Sequence, residues 1–519
     1  MGDVSVSESM KHLKISAQYP ARSGPAATTR CVLDVMTVRC KVKIIFEIVL
    51  RAHLSTPWYT VQKAFILCFL VLTLAGPTAN AYSVLSHEET VDMAWSQHIV
   101  PLLLERYPTA TPDDLRLAHS YAYGGCIIQD LGYYPFGNKY FSDLLHYVRT
   151  GDFVNNLLKD SQNLNEYAFA LGALAHYWGD TTGHPAIGVA TAREYPKLRR
   201  RFGSFVSYYD SPKAHIRTEF GFDVVQVAQG HYVSDDYRNF IGFNVSEGLL
   251  ERAFQETYGV KLDTVLKHED MAFNSYRYSV STLIPEMTRA AVVDYGKQIQ
   301  QTVPNFNRKH FVYRIKRSDY EHDFGKHYHR PGIGAHLIAF LIKIIPKRGP
   351  FSALKLRLPN AADQKTYLNS MQTTVNAYEH SLDQLKAEPA SDSTLPLENL
   401  DYDTGKPSQL GEYPLADHTY ARLLNTLVNK KQSDVTPELQ SSILHYYAAL
   451  KPPSRKFSYH IFRSRKRKRF EENLILLRQE KFPERKTANP LSSISFRPPT
   501  IHTGHLPASS SFSHADAVN

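Results

Sequence analysis

The stretch His176–Pro185 reads HYWGDTTGHP, and further along the chain His215–Glu219 reads HIRTE. His176, Asp180 and His184 are four residues apart, as are His215 and Glu219. On a helix, four residues advance a side chain by only about 40° around the axis, so each set lies on one face and can converge on one point. Three imidazoles and two carboxylates offer nitrogen and oxygen donors of the kind zinc takes. One such pair means little, because helices bring pairs together by chance. Repetition in apolar and aromatic surroundings means more, since an uncompensated carboxylate there is costly unless a cation or hydrogen bonds offset it.

Outward from this stretch the pattern is helical from Tyr82 to about Gly259. The segment from His87 (HEETVDMAWSQHIVPLLLERY) is amphipathic, Thr111-Pro112-Asp113-Asp114 has the form of an N-cap with proline in the first turn, and Leu164–Tyr177 repeats its apolar residues at helical spacing. Residues 124–151 mix glycine, aromatic and acidic residues, which predicts a loop-bearing segment carrying Asp130 and His146. With His87 these make three further candidate ligands. Residues 245–300 continue as helices, and 364–386 and 416–450 read as two more, separated by a Pro/Asp/Ser-rich connection. The apolar run 334–346 is too short to span a bilayer and reads as a buried helix.

The formal net charge of +10 is unevenly distributed. Lys and Arg outnumber Asp and Glu nine to four in residues 1–81 and fourteen to five in 451–519, leaving 37 against 41 in residues 82–450. The body is slightly acidic, which argues mildly against a nucleic-acid groove. Residues 61–81 have a short basic start, about a dozen apolar residues and small residues at Ala79 and Ala81, the form of a secretory signal peptide. Cleavage there would make Tyr82 the first residue and the protein an exported one, with residues 1–60 a spurious or disordered upstream extension. Cys31, Cys40 and Cys68 precede that point, so Cys126 alone follows and no internal disulfide is expected. The block 462–469 (FRSRKRKR) leads into a basic helix and a disordered tail, and would suit an anionic membrane surface.

HYWGD followed by a histidine, the downstream HIRTE and the upstream Asp and His together resemble the zinc-dependent phospholipase C family, whose fold is related to that of zinc-dependent single-strand nucleases. The resemblance implies an all-α, multi-helix domain over residues 82–300 with a metal centre in its core, followed by a helical extension over 301–450 and the basic tail. It implies two or three zinc ions held by His87, Asp130, His146, His176, Asp180, His184, His215 and Glu219. In this reading Asp180 bridges two ions, and Asp130 orients or deprotonates a metal-bridging hydroxide. In the family the histidine after the bridging aspartate comes six residues later, whereas His184 comes four later. A backbone ligand at the mature N-terminus would here fall on Tyr82. The implied activity is cleavage of a phospholipid at a membrane surface to diacylglycerol and a phosphorylated head group. Aromatics such as Tyr133, Tyr134, Phe136, Tyr177 and Trp178 are candidates to contact acyl chains or a head-group cation, with core packing the alternative. Two alternatives to the activity remain open at this point: a nuclease using the same metals, and a secreted protein that binds metal only for stability.

Overall fold

The computed structural model describes residues 84–229, 242–284, scattered positions between 287 and 300, and residues 357–387, 394–429, 435–448 and 464–479. All of them lie in the compact unit Ala75–Asn519. The signal-like segment 61–81, Tyr82, the upstream extension 1–60, the apolar run 334–346 and the tail 486–519 lie outside the described residues.

The fold is all-α, as expected. Helix α1 (Val84–Ala94) passes through a π-helical turn at Trp95–Ile99 into α2 (Val100–Arg106). Then come α3 (Pro112–Gly125), a 3₁₀ turn at Ile128–Tyr133, α4 (Lys139–Tyr147), α5 (Thr150–Asp160), α6 (Leu164–Glu194), α7 (Pro196–Phe202) and α8 (Pro212–Gln229). Helices α9 (Glu247–Tyr258), α10 (Leu262–Val265) and α11 (Glu269–Tyr278) follow. Helix α12 (Ala361–Ala387) precedes a two-residue ladder, β1 (Leu400–Asp401) antiparallel to β2 (Lys406–Pro407), and α13 (Pro414–Asn429), α14 (Pro437–Tyr446) and α15 (Ser464–Gln479) complete the described chain.

Local signals account for several boundaries. The Thr111 side chain accepts from Asp114 N while Asp114 Oδ2 accepts from Thr111 N, a capping box with Pro112 at the first helical position. Helix α5 begins after Arg149, a left-handed residue with no capping side chain. A residue far along the chain supplies the missing acceptor: Asn399 Oδ1 takes the Gly151 and Asp152 amides at 3.0 and 3.1 Å.

Helix α6 is the axis. At 31 residues it is about 46 Å long, and it packs against α1, α3, α5, α8 and α12. The approach to α3 is close because glycine stands on both sides. A Cβ on Gly172 would lie 2.0 Å from Ala122 O, and one on Gly125 would lie 2.0 Å from Phe169 O. Helix α6 continues past Pro185, which leaves the Thr181 carbonyl without its helical N–H.

One expectation needs adjusting. Residues 124–151 are mostly helical, with His146 in the last turn of α4 and Asp130 in the 3₁₀ turn. Residues of α12 to α15 share one apolar core with the helices before residue 285, through Tyr378, Leu382, Tyr420, Leu424, Ile443 and Leu477. Helix α15, into which the basic block runs, buries Phe470, Leu474 and Leu477 while Lys468 and Arg469 stay exposed. Cys126 is buried outside any disulfide, and its thiol donates to Tyr123 O at 3.3 Å. No described helix is long and apolar enough to cross a membrane.

Candidate metal centre

Four helices and one turn deliver all eight predicted donors to one buried place. Helix α1 brings His87, the 3₁₀ turn Asp130, α4 His146, α6 His176, Asp180 and His184, and α8 His215 and Glu219; each is at most 4% exposed. Asp180 is the hub. Its Oδ1 lies 3.3 Å from His87 Nε2, and its Oδ2 lies 3.3 Å from His146 Nε2, 3.1 Å from His176 Nε2 and 3.5 Å from His184 Nε2. His146 Nε2 is also 3.2 Å from Asp130 Oδ1. On α8, His215 Nε2 is 3.1 Å from Glu219 Oε1.

Three sets each gather their donor atoms within 4.8 Å: His87, His176 and Asp180; Asp130, His146 and His176; and His184, His215 and Glu219. The first two sets share His176. Asp180 adjoins both through different oxygens, as a bridging carboxylate would.

The histidine tautomers make this an arrangement for cations. Nδ1 of His146 donates to Ser142 O at 2.8 Å, that of His176 to Cys126 O at 2.8 Å, and that of His215 to Val206 O at 3.3 Å. A carbonyl can only accept, so Nδ1 carries the hydrogen and Nε2 presents a lone pair to the centre. For His176 and His215 that lone pair faces a carboxylate oxygen, and neither Nε2 makes a hydrogen bond; nor does either oxygen of Asp180 or Glu219. Lone pairs facing one another at about 3 Å repel unless a proton or metal lies between them.

The titration of these groups carries the same signature. Burial, reinforced by Asp180, Asp130, Asp403 and Asp223, pushes the Glu219 carboxyl well above the usual carboxylate range. Burial would lower His146, but Asp130 and Asp180 raise it to about 10. Burial and neighbouring His184 bring His215 down to about 3. Asp180 is raised by burial, yet His176 and His184 beside it leave it well below the ordinary value. Protons thus hold positions that cations would otherwise fill, and too many carboxylates share one buried volume for all to ionise without cations. The donor set therefore fits zinc.

The sequence reading missed Asp403. It lies in the turn of the β1–β2 hairpin, 1% exposed, with Oδ1 2.8 Å from His184 Nδ1. The Tyr147 and Tyr413 hydroxyls both donate to its Oδ2. Burial would raise its carboxyl, but His184 brings it below the ordinary range. No motif or periodicity marks this residue; only the fold brings it to the site.

Tyr402 walls one side, its ring 5.2 Å from that of His146 and 6.0 Å from that of His176. Another side is more open. There half-buried Tyr133 lies 5.8 Å from His146, half-buried Tyr208 lies 6.2 Å from His215, and exposed Lys139 holds its Nζ 5.5 and 5.9 Å from the two tyrosine rings. Phe136 is 54% exposed at a left-handed φ of 62°, and Tyr209 is 41% exposed. Tyr134 and Tyr177 are core residues, 3% and 1% exposed, and Trp178 donates its indole N–H to Ser381 Oγ at 2.9 Å.

Residues 86–266 match the model of a protein family described as zinc-dependent phospholipase C. No curated protein and no solved structure matches the chain.

Proposed function

We propose that this chain, whose residues 86–266 match the model of the zinc-dependent phospholipase C family, is a zinc-dependent phosphodiester hydrolase that splits a phospholipid into diacylglycerol and a phosphorylated head group. The observation that carries the proposal is the convergence of eight buried donors around Asp180. His176, His146 and Asp130 would hold one ion with Asp180 Oδ2, His87 a second with Asp180 Oδ1, and His184, His215 and Glu219 a third. Zinc bound there lowers the pKa of water and stabilises negative charge developing on phosphoryl and leaving oxygens.

The chain's own residues supply the rest. The carbonyls of Cys126, Ser142 and Val206 fix three imidazoles, so the donors need little reorganisation. Asp130, buried with its Oδ1 3.2 Å from His146 Nε2, is the group to orient the attacking water or take its proton. Tyr133 and Tyr208 flank the approach and exclude water beside the reacting phosphate. Lys139, ion-paired with Asp143, lies over the rings of both tyrosines. Phe136 and Tyr209, exposed aromatics close in sequence to Tyr133 and Tyr208, would suit acyl chains at a membrane surface.

The test is hydrolysis by the full chain of phosphatidylcholine vesicles and of single-stranded DNA, each with and without chelator. The proposal expects lipid cleavage that stops on chelation and returns with zinc. Cleavage of DNA alone would make the protein a nuclease, and bound zinc without turnover on either would make it a metal-stabilised binding protein.

A further inference from the structure

The family match ends at residue 266, yet a wall of the metal centre comes from residues 394–413, far beyond it. This segment is tied to the site by many specific bonds. The Tyr402 amide donates to His146 O at 3.1 Å, and Thr150 Oγ1 donates to Leu400 O at 2.8 Å. The Tyr177 hydroxyl donates to Glu398 O at 2.9 Å, and Asn155 exchanges bonds with Leu395 N and O at 2.9 Å each. Asn399 caps α5 in place of a local residue. At the tip, Gly405 has φ +65°, and a Cβ there would lie 2.3 Å from Thr181 O, the carbonyl that Pro185 leaves without its helical partner. The hairpin tip thus packs on the one turn of α6 that carries both Asp180 and His184.

We infer that Asp403 is the positioning residue of the His184–His215–Glu219 zinc site, acting as the carboxylate partner of His184, and that the C-terminal hairpin is therefore a working part of the metal centre. This rests on the zinc reading above.

His184 differs from the other imidazoles. His146, His176 and His215 each turn Nδ1 to a backbone carbonyl of the preceding helices and loops, whereas His184 has its Nδ1 2.8 Å from a carboxylate supplied by the hairpin. A carboxylate beside Nδ1 holds the proton there, leaves Nε2 as the donor and increases its basicity. Asp403 is itself held by four groups. Tyr147 and Tyr413 bind Oδ2, His184 faces Oδ1, and its own amide donates to Asp401 Oδ1 at 2.9 Å. Asp401 Oδ1 also takes the Thr404 amide at 3.2 Å, which fixes the turn that aims Asp403.

The experiment is zinc competition against a chromogenic chelator with the full-length wild type and Asp403→Asn, alongside circular dichroism of the metal-free proteins. Asparagine keeps the volume and an acceptor for the tyrosines but removes the charge. The inference expects one zinc equivalent to weaken about 10- to 100-fold, with the remaining zinc held as in the wild type and the helical signal unchanged. Zinc affinities equal to wild type, or uniformly weakened at every site, would overturn it. Should Asp403→Asn fail to fold, Gly405→Ala decides, because the added methyl must push the tip away from Thr181 O. Selective loss of one zinc supports the inference, and unaltered zinc binding refutes it. A wild type that binds no zinc would refute the zinc reading itself, an outcome distinct from either.

Discussion

Gly172→Ala places a methyl group where α3 and α6 touch, one turn before His176. The new Cβ would lie 2.0 Å from Ala122 O and 2.9 Å from both Ala122 C and Cys126 N. Contacts under 3.0 Å essentially do not occur, so the helices must part locally by about 1 Å. No rotamer relieves a clash between Cβ and backbone, so the cost lies toward the upper end of the roughly 1–3 kcal/mol typical of overpacking. Against it stands a gain of about 1 kcal/mol from replacing glycine inside a helix. A net loss of about 1–2 kcal/mol follows. The metal centre should register the change too. His176 Nδ1 donates to Cys126 O at 2.8 Å, and Cys126 closes α3. A 1 Å separation stretches that bond to about 3.8 Å, beyond hydrogen-bond range. The imidazole then loses its fixed orientation, and zinc affinity should drop by about tenfold or more. The assays are the denaturant midpoint of the metal-free protein and chelator competition for zinc. A variant equal to wild type in both would show that the glycine contact does not position the site.

Three further outcomes are expected. Phe136→Ser should lower turnover of vesicle phospholipid several-fold while leaving a short-chain, monomeric phospholipid nearly unaffected; equal loss on both substrates would assign Phe136 to the chemistry rather than the interface. Glu194 is raised from 4.5 to about 7 by burial and by Asp363. The folded state therefore holds this proton where the unfolded chain has released it, a contribution complete below about pH 4.5 and lost as pH rises through about 7. Glu194→Gln should remove that loss, so that its stability relative to wild type rises between pH 5 and pH 8; a flat difference in denaturant midpoint across that range would contradict the assignment. Thr111→Ala should cost about 1 kcal/mol through loss of the α3 capping box, read as a shift in the denaturant midpoint with zinc content unchanged.

Much of the site was legible because its donors sit on two helices at intervals of four, a pattern that survives without knowledge of tertiary structure. His176, Asp180 and His184 share a face of α6, and His215 and Glu219 share a face of α8. The cap at Thr111 was legible for the same reason: its chemistry is local. His146 was attributed to a loop because glycines and aromatics hide the short helical period of α4, which is held by packing against the 3₁₀ turn, α5 and α13 rather than by propensity. The four-residue spacing of His184, shorter than the family pattern, still brings it beside His215, with ring centroids 5.4 Å apart. Asp403 and Asn399 were invisible in principle. Each meets its partner across more than two hundred residues of chain, and nothing in an Asp-Tyr-Asp-Thr-Gly turn distinguishes a residue aimed at a histidine from one facing water.

The central claim is that these eight side chains hold zinc, and elemental analysis of the full-length protein after equilibration with zinc and desalting tests it most directly. Two or three zinc ions per chain are expected, released together with activity by a chelator. A protein that keeps its helical fold and retains no zinc would contradict it.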